Sequence, residues 1–209
     1  MNNKAPVNPR LTSAQTDRAA GVLLGTACGD ALGAGYEFGP PLGSSHAVAM
    51  IGGGSFGWAP GEWTDDTSMA IAEVTARGGG LRDEAALDMI ARRWTDWARN
   101  AKDVGNQTRS VLHSAGSRPS AKMLAEAASA HHARTGKSGG NGSLMRTAPV
   151  ALAFLHDPGG LAGAARTISA LTHHDPQAGD ACAMWCLAMR HAVLHGTFDG
   201  LRQAVLPAC

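Results

Sequence analysis

From Thr16 to Leu194 the apolar residues recur at helical spacing in one stretch after another, and this 3.6-residue period is what most restricts the fold. The stretches run from about Thr16 to Gly33, Thr67 to Arg77, Asp83 to Asn100, Asn106 to Gly116, Ala121 to Arg134, Ser143 to Leu155, Leu161 to Leu171 and Gln177 to Leu194. Gly, Pro, Asn or Asp punctuates most junctions, as in compact helix-to-helix connections. Residues 34–61 break the rhythm: they are irregular and Gly/Pro-rich, with room for at most a short strand near Ala47 to Ile51. Aromatics are only 5% of the chain while Gly and Ala abound, which favours helices packed through small residues over a sheet sandwich. The fold class expected is all-α. A chain of 209 residues, 44% hydrophobic, can bury one sizeable core. We expect a flexible tail over 1–15 and one helical domain over 16–209.

Within the first stretch Gly21, Gly25, Gly29 and Gly33 fall every fourth residue, on one face of a helix capped near Thr16-Asp17. Each interior glycine costs roughly 1 kcal/mol against alanine. The stripe therefore calls for a close approach, most simply by a neighbouring helix.

Charge narrows the partners. The formal net charge is +1, from 18 basic and 17 acidic side chains that are interspersed rather than blocked, so no footprint for nucleic acid or an anionic membrane is present. The N-terminal residues lack the apolar core of a signal peptide, and Asp30 interrupts the nearest apolar run well short of a membrane span. Cys28, Cys182, Cys186 and Cys209 do not have the spacing of a disulfide scaffold, which fits a reducing cytoplasm. Cys182, Cys186, His191 and His195 stand at i,i+4 spacings that invite a zinc reading. One continuous helix would separate the first from the last by ~20 Å, too far for a shared tetrahedral site.

Three segments carry possible chemistry. Trp63-Thr64-Asp65-Asp66-Thr67 lies where loop becomes helix. Its Thr and Asp suit a helix cap, but three adjacent hard oxygen donors in a tight turn also suit a divalent cation, Mg²⁺ or Mn²⁺ rather than zinc. Gly139-Gly140-Asn141-Gly142-Ser143-Leu144-Met145-Arg146 is either a capping loop or a phosphate cradle built from backbone N–H groups at a helix start. It lacks the Lys-Ser/Thr pair of a P-loop. Asp103-Val104-Gly105-Asn106-Gln107-Thr108-Arg109 repeats the pattern and, alone, reads as an Asn-capped helix.

Taken in order, these segments resemble the ADP-ribosylglycohydrolase family. The resemblance rests on Gly25-Thr26-Ala27-Cys28-Gly29-Asp30-Ala31-Leu32-Gly33 with Glu37-Phe38, the three segments above, Pro149, and Thr172-His173. It implies an orthogonal all-α bundle around a two-metal cleft, and hydrolysis of ADP-ribose from modified protein side chains. Thr64, Asp65 and Asp66 match the first metal-ligand motif, and Glu37 matches a glutamate beside the metals; Glu37, Asp65 and Asp66 are thus the catalytic set. Asp103, Gly105 and Asn106, and Gly140, Asn141, Gly142, Ser143, Leu144 and Met145, match loops that hold the distal ribose and diphosphate. His173 matches a histidine near the ligand. The stripe on the first helix then acquires a second reading, that site loops approach its backbone.

The family's closing Asp-x-Asp-Thr motif has no counterpart after Thr67 in this sequence. The resemblance therefore implies a C-terminally short member with at most half a protein shell for two Mg²⁺ (or Mn²⁺) ions, weakly active alone yet able to bind ADP-ribose. An alternative on the same fold is an impaired ADP-ribose binder. Apolar surface left on Ala181 to Leu194 would favour self-association.

Overall fold

A computed structural model of the chain describes residues 10–74, 81 and 83–205. Its helices are α1 (Ser13–Gly33), α2 (Asp65–Val74), α3 (Glu84–Ala98), α4 (Asn106–Ser114), α5 (Ala121–Thr135), α6 (Ala148–Ala153), α7 (Pro158–Ala170), α8 (Pro176–His195) and α9 (Gly200–Val205), with a single 3-10 turn at Asn141–Ser143. Among the described residues there is no strand, only an isolated antiparallel bridge between Gly53 and Trp58. No described helix is long and apolar enough to cross a membrane.

Helix boundaries follow side-chain chemistry. α1 starts earlier than the Thr16-Asp17 reading, because Thr12 and Gln15 form a reciprocal capping box. Asp83, Ser120, Asp157 and Asp175 cap α3, α5, α7 and α8 through their side chains. Gly136 and Gly196 end α5 and α8 in the left-handed conformation.

The structure differs from the sequence reading in several further places. The Ser143 to Leu155 stretch is not one helix: Pro149 has no N–H to give to a preceding turn, so the chain makes a 3-10 turn and restarts as α6 with the proline in its first turn. The stretch from Ala47 to Ile51, which left room for at most a short strand, forms none; the Tyr36 hydroxyl satisfies both the N–H and the C=O of Ala49 in place of a partner strand. α9, too short to show a period, went unanticipated. Finally, a Cβ built on Gly21, Gly25, Gly29 or Gly33 meets nothing within 4 Å among the described residues, so no helix approaches the stripe there. The close approach lies just beyond it, where a Cβ at Gly35 would run into the carbonyl of Gly52. Arg77, the expected end of the second helix, falls outside the described residues.

The core forms where the inner faces of α2 to α8 meet. On α3 the buried Ala86, Ile90, Ala91 and Trp94 recur at helical spacing, and Trp94 donates its Nε1–H to the Met69 carbonyl at 3.0 Å. Leu124, Val111, Val150, Leu161 and Ile168 complete the interior, each worth about 1.5–3 kcal/mol on burial. α7 and α8 make the most extensive helix pair, lined by Cys182 and Cys186. These two cysteines are free, fully buried thiols packed as small hydrophobes.

Candidate active-site cleft

Asp30, near the end of α1, sets the geometry of the first wall. Its carboxylate accepts from the Thr64 N–H (2.9 and 3.0 Å), the Thr64 hydroxyl (2.7 Å), the Thr67 N–H (3.0 Å) and the Thr67 hydroxyl (2.6 Å). A single carboxylate thus caps α2 from a distant part of the chain and uses its acceptor capacity in doing so. Thr64 becomes the last residue before α2, and Asp65 and Asp66 occupy its first turn. Thr64 Oγ1 lies 3.3 Å from Asp65 Oδ1 and 3.3 Å from Asp66 Oδ2. Its one proton goes to the nearest acceptor, Asp30, so three oxygens face one another with no Thr64 proton between them.

The electrostatics of this wall are strained in one direction. Burial, then the charges of Asp30, Asp65 and Glu37, push Asp66 up to about 7. Burial and then Asp103 raise Asp65. Partial burial, then Asp103, Asp65 and Asp30, raise Glu37. Asp103 is raised by burial against the opposing pull of Arg109. Crowded carboxylates withdrawn from water favour a cation among them, and the set is hard oxygen, suited to Mg²⁺ or Mn²⁺. Among the described residues, no three Asp, Glu, His or Cys side chains stand close enough together to hold a metal ion by themselves. Thr64, Asp65 and Asp66 fit as part of a shell that water or ligand oxygens must complete.

The opposite wall is built from glycine loops and a buried arginine. Gly105 precedes α4 with no side-chain cap, while Gln107 reaches across to give its Nε2–H atoms to the carbonyls of Ser138 and Thr172, both at 3.0 Å. Arg146, fully buried, donates to the Gly142 carbonyl (2.8 Å) and to the Thr172 hydroxyl (2.8 Å). Its guanidinium lies 4.1 Å from the Trp94 ring centroid and 3.6 Å from Glu73, itself buried. Burial pushes Glu73 up to about 8, partly opposed by Arg146. Neither Glu73 oxygen has a hydrogen-bond partner among the described residues.

That network reaches into the cleft through His173. The Thr172 hydroxyl, already accepting from Arg146, is satisfied by giving its proton to His173 Nδ1 at 2.8 Å. Burial and the nearby Arg146 and His131 hold the imidazole neutral, with a pKa lowered to about 3. The ring hydrogen is therefore assigned to Nε2, which lies against the glycine loop. A Cβ at Gly142 would stand 3.0 Å from Nε2 and 2.9 Å from Cε1, so only glycine fits there.

Between the walls lies a cleft of about 580 Å³. It gathers Glu37, Asp65, Asp66, Asp103, Gly105, Asn106, Gly140, Asn141, Gly142, Met145 and His173 from the expected set, together with Gln107, Arg109, Phe38 and Phe56. Ser143 and Leu144 do not face it. Ser143 Oγ bonds Ser169 at 2.8 Å within the core, and Leu144 packs against the hydrophobic cluster. The N–H groups of Leu144 and Met145 are both given to the Asn141 carbonyl, so the loop's exposed backbone is the Gly140 to Gly142 stretch. Thr64 turns inward to Asp30, beside a second recess of about 460 Å³ floored by Gly29 and Gly33. Asp30, Gln107, Arg146 and Thr172 had no role in the sequence reading. All four stood within the segments quoted for the resemblance, which was the one hint of them.

A family model described as ADP-ribosylglycohydrolase matches residues 11–209. The chain is 36% identical to the ADP-ribosylarginine hydrolase Tri1 of Pseudomonas putida (strain GB-1), over 86% of this chain and 47% of that protein. It is 32% identical to the ADP-ribosyl-[dinitrogen reductase] glycohydrolase of Rhodospirillum rubrum, over 85% of this chain and 58% of that protein. A solved structure titled "ADP-ribosylglycohydrolase-related protein complex" superposes with a TM-score of 0.68 at 31% identity, covering 92% of this chain and 62% of the other. The chain spans about half the length of the curated relatives it matches.

Proposed function

The chain belongs to the ADP-ribosylglycohydrolase family, with its all-helical fold, and from that premise we propose that its cleft binds ADP-ribose and hydrolyses the bond joining it to an arginine side chain of a modified protein. Support for arginine comes from the similarity to the ADP-ribosylarginine hydrolase of Pseudomonas putida. The observation that carries the reading is the pairing of two unlike walls across one cleft: Asp65, Asp66, Glu37 and Asp103 on one side, Gly140 to Gly142 and His173 on the other.

Each wall suits one part of the ligand. The Gly140 to Gly142 backbone and the His173 Nε2–H are neutral donors for the diphosphate, and the α4 N-terminus adds favourable partial charge. Anchoring the diphosphate there spends remote binding energy on orienting the ribose toward the acidic wall. Thr64, Asp65 and Asp66 are the residues that would hold Mg²⁺ or Mn²⁺, with two ions in a full site. A divalent ion held by these residues would offset the charge of the crowded carboxylates and supply Lewis-acid stabilisation of negative charge near the ribose.

Glu37 is the base in this scheme, an exposed carboxylate at the cleft edge whose raised pKa favours accepting a proton. Water adds its oxygen to the anomeric carbon and gives a proton to Glu37, while the guanidino nitrogen leaves with the bonding electron pair and takes up a proton from solvent, to which Glu37 afterwards returns its own. The products are ADP-ribose and unmodified arginine. The test is release of ADP-ribose from an ADP-ribosylated arginine protein, with and without Mg²⁺. Mg²⁺-dependent release that Glu37→Gln lowers by about a hundredfold supports the reading; binding of ADP-ribose without release would make the chain a binder only.

A further inference from the structure

A second concavity, of about 680 Å³, lies beside the cleft and is joined to it, since Asp65 and Asp103 line both. It runs between the loop carrying Trp58 to Trp63, the end of α3 with Asp96 and Trp97, and the turn that follows. Trp63 is 46% exposed although it directly precedes the Asp30-capped turn at Thr64. Glu62, Asp65, Asp96 and Asp103 face it, against the single ammonium of Lys102. Asp96 stands in the last turn of α3, where a carboxylate opposes the helix dipole. Its ion pair with Arg99 is solvent-exposed and contributes little. Helix stability therefore gives no reason for an acid at that position.

The groove already shows how it treats a cation. Lys102 Nζ sits 5.0 Å from the Trp58 ring centroid and 2.7 Å from Glu62 Oε2, an aromatic face and a carboxylate holding one positive charge. We propose that this groove is the acceptor subsite, in which the indoles of Trp63 and Trp97 and the carboxylates of Asp96 and Asp103 receive the arginine-bearing segment of the ADP-ribosylated protein. The inference rests on the arginine-hydrolase reading and locates its second half. With the diphosphate on the glycine wall and the ribose at the acidic wall, the bond to be cut points toward Asp65 and Asp103, the residues through which cleft and groove communicate. Charge complementarity selects the occupant: a guanidinium is cationic, planar and able to stack on indole.

The experiment titrates the full chain with an unmodified arginine-containing peptide at low ionic strength, read by tryptophan fluorescence, and in parallel with ADP-ribose by calorimetry. Asp96→Lys is expected to weaken the peptide about tenfold and Lys102→Gln to tighten it severalfold, with the ADP-ribose affinity of both variants within twofold of the parent. Trp63→Ala is expected to act like Asp96→Lys; should it fail to fold, the surface charge variants carry the test. Peptide binding that is absent in the parent, or equal in the parent and Asp96→Lys, overturns the acceptor subsite. Loss of ADP-ribose binding by the parent would instead overturn the functional reading and leave the peptide result to judge the groove.

Discussion

On the glycine wall of the cleft, Arg146 is locked by Gly142, Thr172, Trp94 and Glu73, and the order it imposes passes through Thr172 to the His173 ring. On the acidic wall, Glu37, Asp65, Asp66 and Asp103 are all raised by burial, three of them further by one another. The first wall is preorganised by protein alone, while the second is arranged so that something positive must join it. The difference teaches where to look for ligand dependence. Perturbing the glycine wall should damage fold or binding directly, and perturbing the acidic wall should change the response to metal.

The largest effect is expected from Arg146→Met. It removes the buried donor to the Gly142 carbonyl and the Thr172 hydroxyl, a loss of about 3–5 kcal/mol that denaturant unfolding would read as a lower midpoint with an unchanged slope. A variant as stable as the parent would end the idea that this wall hangs on Arg146. Next comes Gly142→Val, whose side chain must displace the His173 ring. ADP-ribose affinity should drop roughly a hundredfold, about 3 kcal/mol, with a much smaller shift in melting temperature; equal affinity would show that the loop does not touch the ligand.

A smaller and opposite response should follow Asp66→Asn on the acidic wall. Without metal the variant should be more stable than the parent at pH 8 by about 1 kcal/mol, since one of the crowded charges is gone. Mg²⁺ should raise the melting temperature of the parent and not of the variant, as differential scanning fluorimetry can show. The last change, small at low pH and growing as pH rises, is expected for Glu73→Gln. Glu73 is raised from 4.5 to about 8, so the fold favours its protonated form. Stability from that preference is complete below about pH 4.5 and is lost as pH rises through about 8. The Gln variant should track the parent at low pH and fall less above it; a steeper decline in the variant would mean that the carboxylate is ionised and bonded to Arg146 throughout.

How much of this was legible in sequence depended on whether a residue's partner was local. Trp63 to Thr67 and Gly140 to Met145 could be read because their residue types carry the chemistry within a few positions, and the structure brings most of them to one cleft. Asp30 was read as part of a glycine-rich segment and as the charge that interrupts an apolar run. Its role in capping α2 joins residues more than thirty positions apart, which periodicity cannot reveal. The same holds for Arg146, whose partners Glu73, Trp94 and Thr172 come from three other parts of the chain. Ser143 and Leu144 were assigned to the ligand because they match a family loop, but in a tight turn successive side chains diverge, and these two fall on the core side. The glycine stripe shows the limit from the other direction: spacing located a bare helix face, not what comes near it.

Calorimetric titration of the full chain with ADP-ribose, at several Mg²⁺ concentrations near pH 7, bears most directly on the two-wall cleft. Binding should be measurable without metal, because the glycine wall needs none, and should tighten about tenfold or more as Mg²⁺ fills the acidic wall. Proton release should accompany the metal, since Asp66, with its pKa raised to about 7, must ionise to coordinate. An affinity for ADP-ribose that is indifferent to Mg²⁺, or no binding under any condition, would contradict the assignment of the two walls.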